Sequence, residues 1–162
     1  MLANAIHALY TSTPEKPQSL FMSLHGDLGA GKTTAIRYLL QAMGYGGKVK
    51  SPTYSLCEEH ILDLPNQELH VFHFDLYRMQ SPQEWVDAGL LEHFTQSEYP
   101  TLCIIEWPEK AEHTLPTMDL AITLIHPKEM ESELARTVAI AAQTPKGEAV
   151  LQSIRAHLSI NP

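Results

Sequence analysis

Apolar and polar positions alternate along this chain in runs that name their own elements. Leu2, Ala5, Ile6 and Leu9 fall at helical spacing and predict a short amphipathic helix at the start. Thr11 to Ser19, with Pro14 and Pro17, reads as a loop. Leu20–His25 is a short apolar run of the kind that forms a buried strand. A glycine-rich turn follows, then a helix from Lys32 to about Met43, ended by Gly44, Gly46 and Gly47. Tyr54–Leu62 and Leu69–Asp75 read as two strands joined by a polar turn at Pro65–Asn66, hence an antiparallel pair.

Ser81-Pro82-Gln83-Glu84 is a compact helix start, with a capping serine, a proline in the first turn and a glutamate placed to close a capping box. Gly89 breaks that helix into two short pieces. Thr101–Glu106 is a continuous apolar run ending in an acid, as in a strand covered on both faces. Asp119–Ile125 and Arg136–Ala142 read as two later strands, and Pro145–Leu158 as a last helix with Val150, Ile154 and Leu158 on one face. The order α-β-α-β-β-α-β-β-β-α predicts a single three-layer α/β domain with a mixed sheet, because the strict βα alternation of a fully parallel sheet is absent.

Composition narrows the function. The chain has 162 residues, 44% hydrophobic and 19% charged, ordinary for a soluble fold. No apolar run approaches the roughly 20 residues of a membrane span, and Met1 to Tyr10 lacks the features of a secretory signal. The cytoplasm is the expected location, with Cys57 and Cys103 as free thiols. A net charge of −8, with only 11 Lys plus Arg, argues against direct nucleic-acid binding and for contact through a protein partner. The nine histidines are dispersed and lack zinc-site spacing; His70 and His73 read as core or surface strand residues rather than a metal pair.

The chemistry concentrates in one stretch. Gly26-Asp27-Leu28-Gly29-Ala30-Gly31-Lys32-Thr33, followed by Thr34, matches the phosphate-binding loop pattern G-x-x-x-x-G-K-[ST], and it lies between a predicted strand and a predicted helix. Glycines let successive backbone N–H groups face a polyphosphate, and the helix start adds its positive dipole end. Lys32 neutralises phosphate charge and Thr33 offers a hydroxyl to Mg²⁺. Asp27 reads as a solvated turn former. Such loops work with an acid at the end of a neighbouring strand. Glu106 is favoured for the metal, Asp75 for orienting water or the switch loop. Ser51-Pro52-Thr53 occupies the place where such a loop senses the terminal phosphate.

Taken in order, G-D-L-G-A-G-K-T-T (Gly26–Thr34), S-P-T-Y (Ser51–Tyr54), H-F-D-L-Y-R (His73–Arg78) and E-W-P-E (Glu106–Glu109) resemble the TsaE family, also called YjeE. Tyr54 stands where Phe is common in that family, and Trp85 where a smaller aliphatic residue is usual. The resemblance implies a P-loop fold and a slow, magnesium-dependent ATPase. It implies action with the partner proteins TsaB and TsaD, which transfer a threonylcarbamoyl group to N6 of adenosine 37 in tRNA. It also implies that Lys32 holds phosphate, that Thr33 and Glu106 hold Mg²⁺, that Asp75 and the Ser51–Thr53 loop support hydrolysis, and that Trp107 lies beside the nucleotide or a partner. From the residues alone, a small-molecule kinase and a non-hydrolytic ATP-dependent binding module stay open. The kinase lacks an Arg-rich lid segment, and no N-K-x-D guanine signature is present.

Overall fold

The computed structural model describes residues 1–11, 18–95, 98–125 and 137–160. Its elements are α1 (Leu2–Thr11), β1 (Ser19–His25), α2 (Lys32–Ala42), β2 (Cys57–Leu64), β3 (Gln67–Asp75), α3 (Pro82–Asp87), β4 (Thr101–Glu106), β5 (Leu120–Ile125), β6 (Thr137–Ala142) and α4 (Pro145–Ile160). Short 3-10 turns at Leu90–Phe94, Pro108–Lys110 and Glu112–Thr114 complete them. The predicted loop through Pro14 and Pro17, and Arg136 at the expected start of the last strand, lie outside the described residues.

The strands form one sheet in the order β2-β3-β4-β1-β5-β6. The inner pairs β3–β4, β4–β1 and β1–β5 are parallel, and the outer pairs β2–β3 and β5–β6 are antiparallel. This is the mixed-sheet α/β fold expected from the element order. β4 is buried at every position because it is central and covered on both sides.

Side chains of alternate parity feed two different cores. Leu20, Met22 and Leu24 of β1, Leu102 and Ile104 of β4, and Leu69 and Val71 of β3 join α1, α2 and α4 in a large aliphatic cluster. Phe74 of β3 and Cys103 and Ile105 of β4 join Trp85, Leu76, Met79 and Leu90 in a smaller cluster under α3 and the 3-10 turns. Both cysteines are free, and burial pushes the Cys57 thiol up to about 12 and that of Cys103 upward as well.

Two boundaries differ from the sequence reading. β2 starts at Cys57, not Tyr54: Leu56 takes a left-handed backbone (φ 61°) and Tyr54 points into solvent, so this stretch is a turn feeding the strand. β3 starts at Gln67, so the hairpin turn is confined to the expected Pro65–Asn66. The capping box at Ser81 and Glu84 forms as predicted, and left-handed Gly89 (φ 68°) separates α3 from the next 3-10 turn. Asp119, expected to open β5, instead accepts from Phe21 N (2.9 Å) and Thr144 Oγ1 (2.5 Å), tying α4 to the amino end of β1.

Candidate functional site

The site grows from the point where β1 runs out of the sheet and α2 begins. Gly26 (φ 138°) has no room for a side chain, since a Cβ there would lie 2.5 Å from the Leu124 carbonyl oxygen. Gly31 (φ 97°) caps α2 in a left-handed conformation that a side chain would strain. The loop between them therefore turns tightly and delivers Lys32 and Thr33 to the first turn of α2, at the carboxyl ends of the parallel strands.

A cavity of about 460 Å³ opens there. From the loop, Leu28, Gly29, Gly31, Lys32, Thr33 and Thr34 line it; Gly26, Asp27 and Ala30 do not. Ala30 is buried, and Asp27 is an exposed turn residue whose carbonyl accepts from Ala30 N (3.1 Å). The opposite wall is Ser51, Thr53, Asp75, Tyr77, Arg78, Glu106 and Trp107. The structure thus gathers the loop, both acids, the Ser51–Thr53 segment and Trp107 around one space.

Lys32 is almost wholly buried. Its Nζ donates to the Gly26 carbonyl (2.6 Å) and the Asp27 carbonyl (3.1 Å) and stands 3.6 Å from the centre of the Trp107 ring. Burial pulls the ammonium below its ordinary value, against Glu106, Glu109, Asp75 and Asp27, which favour the charge. Trp107 holds a left-handed backbone (φ 60°), uncommon for so bulky a residue, and packs on Tyr77 with ring centres 5.0 Å apart. A strained residue held against the key cation of a cleft is the kind of outlier that marks function.

The two acids are register neighbours on parallel strands and point to the same face of the sheet. They take separate partners. Thr33 Oγ1 donates to Glu106 Oε1 at 2.7 Å. Asp75 Oδ2 accepts from Ser51 Oγ and from Thr53 Oγ1 (the latter at 3.3 Å), while Oδ1 accepts from Tyr77 N at 3.0 Å. Asp75 therefore pins the 51–53 segment to the sheet, and Glu106 faces the first turn of α2. A hydroxyl and a carboxylate are hard oxygen donors of the type Mg²⁺ takes, with phosphate oxygens and water completing its shell. Their convergence here fits that ion.

Three residues of the site, Tyr77, Arg78 and His73, carry no role that the sequence alone assigns. Tyr77 and Arg78 lie within H-F-D-L-Y-R, a motif that carried the signal although no role was attached to them. His73 is the strand histidine that the sequence predicts; it is fully buried, and its Nε2 lies 2.9 Å from Glu106 Oε1. Its signal was parity: His73 is two residues before Asp75 and so shares its face. His60 on β2 is also buried, with Nδ1 3.1 Å from the Tyr45 hydroxyl. His70 instead pairs with Glu59 at 2.6 Å, away from the cleft. Among the described residues no group of three or more His, Cys, Asp or Glu side chains could hold a metal by themselves.

Comparison with known sequences places this chain in a family. The family model for the threonylcarbamoyl adenosine biosynthesis protein TsaE matches residues 2–138. The tRNA threonylcarbamoyladenosine biosynthesis protein TsaE of Haemophilus influenzae is 36% identical over 136 residues, 84% of this chain and 78% of its own. That of Bacillus subtilis is 33% identical over 130 residues, 80% of this chain and 76% of its own. The crystal structure of Bacillus subtilis YdiB superposes with a TM-score of 0.63 at 24% identity, covering 96% of this chain and 86% of that one, a likeness of fold. On this sequence match, nearly full-length, the chain belongs to the TsaE family of tRNA threonylcarbamoyladenosine biosynthesis proteins.

Proposed function

We propose that the protein binds ATP with Mg²⁺ in the cleft between the 26–34 loop and the strand ends, and hydrolyses it slowly. The observation that carries this reading is the pairing of Thr33 with Glu106 and of Ser51 with Asp75 around the buried Lys32. The loop amides and the start of α2 offer a positive end to phosphates. Lys32 exchanges its carbonyl partners for phosphate oxygens. Thr33 and Glu106 would hold the magnesium ion, which supplies charge neutralisation across the phosphates. Asp75 holds Ser51 and Thr53 at the rim, where they sense the terminal phosphate.

In this reading hydrolysis serves a complex that modifies tRNA at N6 of adenosine 37. TsaB- and TsaD-like partners carry out the transfer, in the cytoplasm. The net charge of −8 fits a subunit that reaches tRNA only through such partners. Among the described residues no helix is long and apolar enough to cross a membrane.

Phosphate release with and without partner proteins is the test. Slow release alone, faster release with partners, and loss of both in Lys32→Ala are expected. ATP binding without any phosphate release would leave a binding module, and transfer of phosphate to a nucleoside or small alcohol would make it a kinase.

A further inference from the structure

His73 stands where packing alone calls for a hydrocarbon. It shares its face of β3 with Leu69 and Val71, its register partner on β4 is Ile104, and it is fully buried. A leucine would continue the aliphatic cluster. A histidine brings two polar ring atoms, and one of them, Nδ1, has no hydrogen-bond partner. Burying an unsatisfied polar atom is unfavourable, so the ring earns its place through the other nitrogen.

That nitrogen, Nε2, lies 2.9 Å from Glu106 Oε1. An ionised carboxylate only accepts, so Nε2 carries the hydrogen and donates. Nδ1 is then a bare acceptor rather than a stranded N–H, the less costly of the two orphans. Thr33 Oγ1 donates to the same Oε1 at 2.7 Å. Two donors, from α2 on one side and β3 on the other, converge on one oxygen of a side chain that is 3% exposed. The remaining oxygen, Oε2, receives no hydrogen bond from the described residues, although Glu106 lines the cleft.

We propose that His73 is the positioning residue for Glu106: its Nε2–H fixes Oε1, so the carboxylate meets a divalent cation in a single, preset orientation. This inference rests on the nucleotide and magnesium reading of the cleft. Partners of this kind, one bond behind a ligand, change metal affinity by roughly 10- to 100-fold when removed. The His73 ring takes its hydrogen-bond partner, Glu106, on the metal side of the cleft, so its loss acts on the cation rather than on the nucleotide.

The test is a magnesium titration of the ADP-loaded protein by calorimetry, beside ADP affinity in excess chelator. Glutamine can place an amide N–H close to where Nε2 stands; leucine cannot donate. His73→Gln is expected to keep the magnesium half-saturation point within about 3-fold, and His73→Leu to raise it roughly 10- to 100-fold. ADP affinity in chelator stays unchanged in both. Should the leucine variant fail to fold, His73→Asn serves, because its shorter amide reaches the Nδ1 position only; it should behave as leucine does. A His73→Leu or His73→Asn protein that binds magnesium as tightly as wild type, while Glu106→Gln does not, overturns the positioning role and leaves the cleft reading standing. If Glu106→Gln also binds magnesium normally, both fall.

Discussion

The two faces of the sheet are built on different terms. One is covered by α1, α2 and α4 and filled almost entirely with aliphatic side chains. The other is covered by α3 and short 3-10 turns, and among its aliphatic side chains it holds an aromatic cluster: Phe74 meets Trp85 with ring centres 5.3 Å apart, and Phe94 packs against both at 5.5 and 5.8 Å. The polar chemistry lies on the first face. His73, Asp75 and Glu106 continue, toward the carboxyl ends of β3 and β4, the same rows that hold Val71 and Ile104. A long helix can set a hydroxyl and an ammonium against those acids with one rigid turn. The turn-covered face reaches the cleft through Trp107, which follows β4 directly, packs against the smaller core and lines the cavity.

The contrast predicts different consequences for damage on each side. The largest effect is expected from Trp85→Ala. Trp85 is fully buried in the smaller core, and truncating so large a side chain leaves a cavity, so the loss should be about 3–5 kcal/mol. A melting scan should show a drop of roughly 6–20 °C. A variant that melts like wild type would mean that this core does not hold the sheet.

Glu106→Gln comes next and belongs to the other face. It keeps the shape but removes the charge opposite Thr33, and magnesium-dependent turnover should fall about 100-fold, some 2.7 kcal/mol. Folding should survive, as read by circular dichroism. Equal turnover would detach the acid from the chemistry.

Ser51→Ala sharpens the division between the two acids. It removes a donor to Asp75 but leaves Thr53 in place. The expected cost is about 1 kcal/mol in urea unfolding, with magnesium affinity unchanged. A shift in magnesium affinity would show that the acids act as one unit.

The smallest effect is a pH dependence from His60. Burial pulls its basicity below the ordinary histidine value, Glu58 opposes, and His73 adds to the fall. The unfolded chain then takes up a proton that the folded one resists. Stability is fully present above about pH 6.5, the unfolded value, and is lost as pH falls toward the folded one. Urea midpoints between pH 7.5 and 5.5 should decline, and less so in His60→Gln. Equal slopes would assign the decline to other groups.

What could be read from sequence follows from how local each signal is. The run Leu20–His25 and the loop after it announce strand, turn and helix within a few residues, because each glycine and each apolar position acts where it stands. Tyr54 misled because an aromatic side chain favours strands, yet the left-handed Leu56 two residues later forces a turn. Glu106 and Asp75 could be named separately. That they are register neighbours, and that Thr33 and Ser51 divide them, depends on the parallel pairing of β3 with β4, a contact across about thirty residues of chain. His73 was missed for the same reason. Its partner is 33 positions away, and only the sheet brings them within 2.9 Å.

The central claim is that the buried Lys32 and the loop around it form a seat for a magnesium nucleotide. Calorimetric titration of ATP with Mg²⁺ into the wild-type protein and Lys32→Ala tests it directly. The account predicts saturable one-site binding to the wild type and a loss of about 2–5 kcal/mol, roughly 30- to 5,000-fold, in the variant. Equal affinity in the two proteins, or no binding to either, would contradict it.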